Sequence, residues 1–385
     1  MKKMKGRWKK ITQPLGFLLV LGLIFGFISS KMGMVNMLST LMNTAYALLL
    51  DTVFYIMAVA VVAGALSALL SEFGVVTLIN KLLSPLMKPL YGLPGAASLG
   101  IMTTYLSDNP AILALAHDNG FRRYFKKYQL PALTNIGTAF GMGAIVTTTM
   151  LGIQSPKGES FLAAALIGNL GAMIGSIVST RLMLMKTSKI YGRTASCDEI
   201  EEKATQKETK DESKSLGMRV IDCLMEGGKS GVSLGLDIIP GVLIICTMVL
   251  MLTNGASADG SYTGGAYEGI AFLPWIGDKL SFILKPLFGF SSAEGIAVPI
   301  TALGSAGAAI GLVPKLVAAG SAHAGDVAVF TAMCMCWSGY LSTHVAMMDN
   351  LKCSKLTGHA ILSHTVGGLC AGVAANWLFK LFMLL

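Results

Sequence analysis

The apolar positions of this 385-residue chain come in long runs, not in the one-faced rhythm of a soluble amphipathic helix. A first run covers residues 15–30, and others fall near 44–71, 129–154, 159–185, 229–253, 326–350 and 357–385. Crossing a ~30 Å hydrocarbon core takes about 20 apolar residues in a helix, so these runs predict membrane spans. Two further pieces, 94–120 and 291–320, do not read as single spans. Each is a pair of apolar stretches too short to cross. The first breaks at Leu106-Ser107-Asp108-Asn109-Pro110 and the second at Leu303-Gly304-Ser305-Ala306-Gly307. Short halves interrupted by Gly, Pro and small polar residues predict re-entrant hairpins. One kinked helix in each place is the rival reading.

Each hairpin follows a shorter amphipathic segment that ends in a matching phrase, Lys88-Pro89-Leu90-Tyr91-Gly92 and Lys285-Pro286-Leu287-Phe288-Gly289. The same ungapped offset pairs Thr104 with Thr301, Ala111 with Ala308, Phe140 with Trp337, Gly171 with Gly368 and Gly175 with Gly372. A register held over so long a stretch marks a duplication. Upstream, Leu48-Leu49-Leu50-Asp51 echoes Leu234-Gly235-Leu236-Asp237 at a smaller offset. An insertion around the polar, Gly-rich residues 254–269 accounts for the difference.

Composition agrees. Hydrophobic residues make up 53% of the chain and charged residues only 13%, with mean hydropathy +0.64, against roughly 25% charged in a soluble domain. A soluble enzyme, a disordered chain and a disulfide scaffold are excluded. The net charge of +9 does not indicate nucleic acid, because no basic stripe interleaved with aromatics lies on a soluble domain. The basic residues sit in short segments between apolar runs, which encodes orientation. With the N-terminus cytoplasmic and an uncleaved first helix, 23 of the 30 basic residues fall on the cytoplasmic side and the C-terminus lies outside. The two halves then begin on opposite sides of the cell (inner) membrane, so the duplication has inverted topology, an architecture of secondary transporters. The fold class expected is an all-α polytopic membrane protein of two inverted repeats, each running helix, interfacial helix, hairpin, broken helix, helix. The parts are 1–43, the basic N-terminus and first helix; 44–185, repeat 1; 186–228, a charged cytoplasmic linker; and 229–385, repeat 2.

Candidate chemistry collects at the breaks. A carboxylate at membrane depth is expensive, which makes the tip Ser107-Asp108-Asn109 a functional hypothesis. Free backbone groups and helix-end dipoles there can bind a polar solute or cation. The rival reading is a helix cap, with Pro110 in the first turn of the second half. The matching tip carries no charge and offers backbone groups and the Ser305 hydroxyl. The helix after each hairpin has a weak centre: 134–143, with three glycines and the polar Thr134, Asn135 and Thr138, and 337–344, with Ser338, Tyr340, Ser342 and His344. Such stretches unwind where they line a cavity. GxxxG-type packing at Gly137/Gly141, Gly171/Gly175 and Gly307/Gly311 is the rival account of the glycines. Ser107, Asp108, Asn109, Ser305, Ser338, Tyr340, Ser342 and His344 are therefore the candidate solute ligands. Asn135, Thr138, Asp51 and Asp237 are the candidates for a coupling ion, Na+ or H+. Asp51 and Asp237 read as helix-start residues, where a carboxylate also simply favours the dipole. Ser291-Ser292-Ala293-Glu294 reads as a capping box, and Arg181 as a residue that snorkels to the interface.

Other chemistries find no foothold. HExxH, GxSxG and a phosphate-cradling GxxxxGK[ST] are absent. Cys334 and Cys336 do not share a helix face, so they read as buried thiols, not metal ligands. His359 and His364 are five apart and are not an i, i+4 ligand pair. No catalytic residue, metal or cofactor is expected.

The repeated order of elements and the Lys-Pro-Leu-Tyr/Phe-Gly phrases resemble the nucleoside-recognition, or Gate-domain, family of membrane proteins. That family is related to the concentrative nucleoside transporters and to the membrane part of ferrous iron transport B proteins. The resemblance covers residues 44–385. Ser107-Asp108-Asn109 stands where nucleoside transporters carry a Gln-Thr-Glu-type motif, and Gly339-Tyr340-Leu341-Ser342 stands where they carry a Gly-Phe-Ala-Asn-type stretch. Because both signatures are replaced, the resemblance implies architecture more than substrate. It implies a trimeric, ion-coupled elevator for a small polar solute such as a nucleoside or nucleobase. A non-transporting membrane scaffold or signalling protein is the alternative.

Overall fold

The computed structural model describes residues 2–107, 109–116, 119–197, 215–257, 259–338 and 340–384. The chain is an all-α polytopic membrane protein. Among the described residues, five helices are long and apolar enough to cross a membrane: Thr12–Met32, Met34–Glu72, Leu162–Tyr191, Leu216–Thr253 and Ser354–Phe382.

In chain order the helices are α1 (Lys2–Met32), α2 (Met34–Glu72), α3 (Val75–Leu86), α4 (Ala97–Leu106), α5 (Pro110–Ala116), α6 (Ala132–Phe140), α7 (Gly143–Gly152) and α8 (Leu162–Tyr191). The second half follows with α9 (Leu216–Thr253), α10 (Phe272–Lys279), α11 (Ser281–Phe288), α12 (Ala297–Ala302), α13 (Ala306–Ala318), α14 (Ala324–Cys336), α15 (Tyr340–Asn350) and α16 (Thr357–Phe382). From α2 to α8 and from α9 to α16 the order is the same: a long helix, short amphipathic turns, a pair of short helices, an interrupted helix, a long helix. In the first pair the chain folds back on itself. A Cβ on Gly100 of α4 would lie 2.9 Å from the Ile112 side chain of α5, far closer than a continuing helix allows at 1.5 Å rise per residue. The pair α4/α5 is called hairpin 1 below, and α12/α13 hairpin 2.

Equivalent long helices pack on each other, α2 against α9 and α8 against α16. Both contacts are built on small residues. A Cβ on Gly64 would fall 2.4 Å from the Gly227 carbonyl oxygen, and one on Gly175 the same distance from that of Gly367. Backbones this close need glycine, as in small-xxx-small membrane packing.

The duplicated phrase has a common structural role. Gly92 and Gly289 both end their helices in the left-handed conformation, at φ 74° and 69°, where only glycine is unstrained. In each half a side chain from the last long helix holds the two carbonyls just before. Arg181 of α8 donates to Leu90 at 2.7 Å and to Pro89. Asn376 of α16 donates to Leu287 at 2.9 Å and to Pro286 at 3.4 Å. Arg181, expected to snorkel, is thus a cap for orphan carbonyls.

Three expectations are corrected. Asp51 and Asp237 are not helix-start residues, because α2 begins at Met34 and α9 at Leu216. The polar residues ahead of Asp51 lie within α2, and their side chains hold the loop after α9: Asn36 donates to the Tyr262 carbonyl at 2.9 Å, Asn43 to that of Gly264 at 2.8 Å, and Thr44 accepts from the Tyr267 amide at 2.8 Å. The start of α9 is pinned to the end of α2 by Arg219, whose Nε lies 2.8 Å from Glu72. The charged stretch expected over 186–228 is therefore shorter as a linker, with α8 running to Tyr191 and α9 beginning well before 228. Finally, the capping box expected at Ser291–Glu294 does not form. Ser292 is the N-cap without a side-chain bond, and the Ser291 amide and hydroxyl are taken by Asp326 at 2.8 and 2.5 Å. Asp326 also accepts from the His323 amide, closing a capping box on α14.

Candidate functional site

Both interrupted helices break where glycine and small polar residues concentrate. Between α6 and α7, Gly141 is extended at ψ 137° and Met142 takes a positive φ of 57°, a strained setting for a side chain of that size. Between α14 and α15 the break falls at Trp337–Ser338. Strain and open backbone at such places are what a binding site at membrane depth is built from.

Hairpin 1 reaches into the second break. Asn109, buried at the tip, donates from Nδ2 to the Ser338 carbonyl at 3.0 Å and to the Thr343 hydroxyl at 3.3 Å. Its amide lies flat on Gly141, where a Cβ would fall 1.5 Å from Oδ1. One side chain thus joins the tip to both breaks. Ser338 is fully buried, and its hydroxyl has no partner among the described residues. Asp108 lies outside the described residues. Ser342 falls in α15, and its side chain is likewise outside them. Ser107 is exposed and donates to the Thr103 carbonyl at 2.7 Å.

Behind the second break lies a polar layer of buried side chains. His364 of α16 is hydrogen-bonded through Nδ1 to Ser179 at 2.8 Å and through Nε2 to the Cys336 carbonyl. Ser179 accepts from Asn135 at 2.7 Å, and Asn135 also donates to the Ala360 carbonyl at 3.2 Å. His344 stands beside His364 with ring centroids 4.7 Å apart, and Tyr340 packs on both rings. The Tyr340 hydroxyl bonds Thr365 and the Ile361 carbonyl. Thr138 is buried and bonds back to the Thr134 carbonyl at 2.8 Å.

The two aspartates are not part of this layer, and each lines a cavity with the opposite half's hairpin. Asp237 shares a cleft of 210 Å³ with Ser107 and Ala111 of hairpin 1 and with Ser230 and Ser233 of α9. Asp51 lines a cavity of 420 Å³ with Lys315, Gly311 and Pro314 of α13. Each aspartate sits in or beside a π-helical stretch, Leu49–Val53 and Gly241–Cys246, a local widening of the helix frequent at functional sites. The Lys315 ammonium lies 3.2 Å from the centroid of the Tyr267 ring, a cation–π contact. Burial first, then the Asp51 carboxylate, push the Tyr267 phenol up to about 12. Ser305, at the tip of hairpin 2, accepts from the Ala308 amide at 3.2 Å as the N-cap of α13.

The expected residues therefore divide. Asn109, Ser338, Tyr340 and His344 converge with Asn135 on the breaks, Ser107 and Asp237 share one cleft, and Asp51 and Ser305 stand apart from these two groups. Sequence reasoning missed His364, Ser179 and Thr343. It also missed the cluster that ties hairpin 1 down, in which the Tyr105 hydroxyl meets Thr147 at 3.1 Å and Asn169 at 2.9 Å. Only the polar character of these residues within apolar runs pointed to them. Among the described residues no three His, Cys, Asp or Glu side chains are grouped to hold a metal ion.

No protein-family model matches the chain, and no curated protein does. Solved structures do. Two doubly substituted variants of CNTnw, a concentrative nucleoside transporter, both in outward-facing states, align with 99% of this chain and 87% of their own. Their identities are 15% and 14% and their TM-scores 0.52 and 0.54. CNTnw in an inward-facing substrate-bound state aligns with 86% of this chain and 79% of its own, at 14% identity and a TM-score of 0.51. At such identity the likeness is one of architecture: this chain has the fold seen in the solved concentrative nucleoside transporter structures.

Proposed function

We propose that the chain is a secondary active transporter of the Gate-domain type. It carries a small polar solute of the nucleoside or nucleobase class, driven by Na+ or H+. In this reading the hairpins and interrupted helices form the moving carrier, and α2, α9 and the amphipathic helices form the frame of a trimer in the cell membrane. The chain carries out no covalent chemistry. Ser107, Asp108, Asn109, Ser338, Tyr340 and Ser342 hold the solute at the meeting of hairpin 1 and the second break. Asn135, Thr138, Asp51 and Asp237 serve the coupling ion.

The observation that carries this reading is the Asn109 bond to the Ser338 carbonyl at 3.0 Å. It lies where a folded-back helix pair closes on an interrupted helix, beside a cleft that holds Ser107 and Asp237. Irregular backbone at membrane depth is tolerated where it lines a cavity or is buried in protein, and a polar latch over such backbone is a removable cover.

Uptake of labelled nucleosides and nucleobases into proteoliposomes, under an imposed Na+ or H+ gradient, tests the proposal. Asp108→Ala and Ser342→Ala are expected to lose most of the uptake of the parent. Undiminished uptake in both removes the site assignment. No uptake under either gradient, with no ligand-dependent thermal shift, favours the scaffold reading instead.

A further inference from the structure

The two buried histidines are not equivalent, and their partners decide their tautomers. A backbone carbonyl only accepts, so the ring nitrogen facing one must carry the proton. His364 Nε2 faces the Cys336 carbonyl and therefore donates, which leaves Nδ1 to accept from the Ser179 hydroxyl at 2.8 Å. Ser179 in turn accepts from the Asn135 amide at 2.7 Å. Both nitrogens of His364 are committed. His344 Nδ1 donates to the Tyr340 carbonyl at 2.6 Å. Its Nε2 is then a bare lone pair, and this fully buried atom has no partner among the described residues.

Among the described residues the surroundings supply no counter-charge. Of the elements packed on α15, α5 and α6 have no titratable side chain, and the turn Ser354–Leu356 brings the exposed Lys355. From α16 come His359, His364, Cys370 and Lys380, and His364 is the one in ring contact. From α14 comes Cys336, through its carbonyl. On α15 itself stand Tyr340, whose ring centroid is 5.8 Å from that of His344, and Asp349 beyond the next turn. An imidazolium at His344 would be an uncompensated buried cation with a second imidazole against it. The closed arrangement therefore requires a neutral His344.

The Asn109 latch bonds the Thr343 hydroxyl and the Ser338 carbonyl, and so ties the tip of hairpin 1 to the start of α15, the helix that carries His344. We propose that His344 Nε2 is a proton-binding site whose occupancy opens the tip of hairpin 1 from the second break. By linkage, each event favours the other. Resting on the transport reading above, this makes H+ the coupling ion and moves its seat from the aspartates to His344.

Hydrogen exchange on the purified full-length chain in lipid nanodiscs tests the proposal without any solute. Spectra are compared at pH 7.5 and 5.5 after correction for intrinsic exchange. In the parent, peptides spanning 105–112 and 337–345 should lose protection by about tenfold or more on acidification. The acid response should vanish in His344→Gln and persist in His359→Gln. Equal protection at both pH values in the parent, or an acid response retained in His344→Gln, overturns the proposal. Should His344→Gln not fold, nitrogen NMR of 15N-histidine parent decides. Nδ1–H with a bare Nε2 is expected at pH 7.5 and a doubly protonated ring at pH 5.5; a ring still neutral at pH 5.5 overturns the proposal. An acid response without uptake of any solute would sink the transport reading and leave the proton site standing.

Discussion

Asn109 and Ser338, far apart in sequence, meet at 3.0 Å through the Asn109 amide and the Ser338 carbonyl, and so join the two halves of the chain at their breaks. The bond is buried, and the carbonyl it satisfies belongs to backbone that a continuous helix would have satisfied by itself. Asn109→Ala therefore leaves a buried acceptor bare, at a cost of about 1–3 kcal/mol. The expected outcome is a lower melting temperature, with hydrogen-exchange protection lost at 337–345 and kept across the α8–α16 contact. Unchanged protection at 337–345 would show that the bond does not hold the tip.

Gly141 should act on the same bond from the other side. Its backbone, at φ −58°, accepts any residue, but a Cβ would fall 1.5 Å from Asn109 Oδ1. Gly141→Ala must then push the Asn109 side chain off its seat. The single variants are each expected to destabilise the protein, and the double variant Asn109→Ala/Gly141→Ala by no more than Gly141→Ala alone. Such non-additivity is the signature of a shared contact. Additive losses in a thermal-unfolding cycle would contradict it.

What was legible beforehand follows from which interactions are local. The matching phrases ending in Gly92 and Gly289 announced two equivalent helix ends, because a left-handed C-terminus demands glycine wherever it occurs. The break at Ser107–Asn109 was legible because apolar halves of about ten residues are too short to span, and the one near Gly141 because three glycines and three polar side chains weaken the centre of that run. The partners were not. Arg181 and Asn376 hold equivalent carbonyls from positions that the common offset does not match. His364 lies against Ser179 only because Gly175 and Gly367 let α8 and α16 approach. The early start of α2 was hidden for a similar reason: Asn36 and Asn43 fall between the apolar runs, and the segment they bind lies over two hundred residues later.

That close approach gives a further expected outcome. A Cβ at Gly175 would meet the Gly367 carbonyl at 2.4 Å and the Ala371 side chain at 2.6 Å. Backbone cannot yield as a flexible side chain does, so Gly175→Ala should force the helices apart at about 1–3 kcal/mol. Gly358, with open space around its Cβ position, supplies the control: Gly358→Ala in the first turn of α16 should be neutral or slightly stabilising. Thermal unfolding in one detergent distinguishes them, and equal melting temperatures would refute the packing account.

The loop after α9 should resist acid, for a reason that can be given with its sign. Burial alone would raise the Glu268 carboxyl, but donors from Thr263, Ser257 and Gly264 outweigh it and hold the group near 2, against an ordinary 4.5. The Thr263 and Ser257 hydroxyls donate at 2.6 and 2.7 Å, and the amides of Thr263 and Gly264 at 3.1 Å. A carboxyl lowered on folding contributes stability that is complete above its unfolded value and is lost as pH falls through its folded one. Loop protection should thus be constant from pH 8 down to about 4.5 and fall as pH approaches 2. Glu268→Gln keeps the shape but loses the charge and weakens the bonds to both amides. It should lower protection over 257–268 at every pH and remove the acid transition there. Tyr267, held by this loop at φ 67° over the Lys315 ammonium, should loosen with it, while hairpin 1 keeps its protection. A Glu268→Gln loop as protected as the parent's at pH 7 would show that the carboxylate does not organise it.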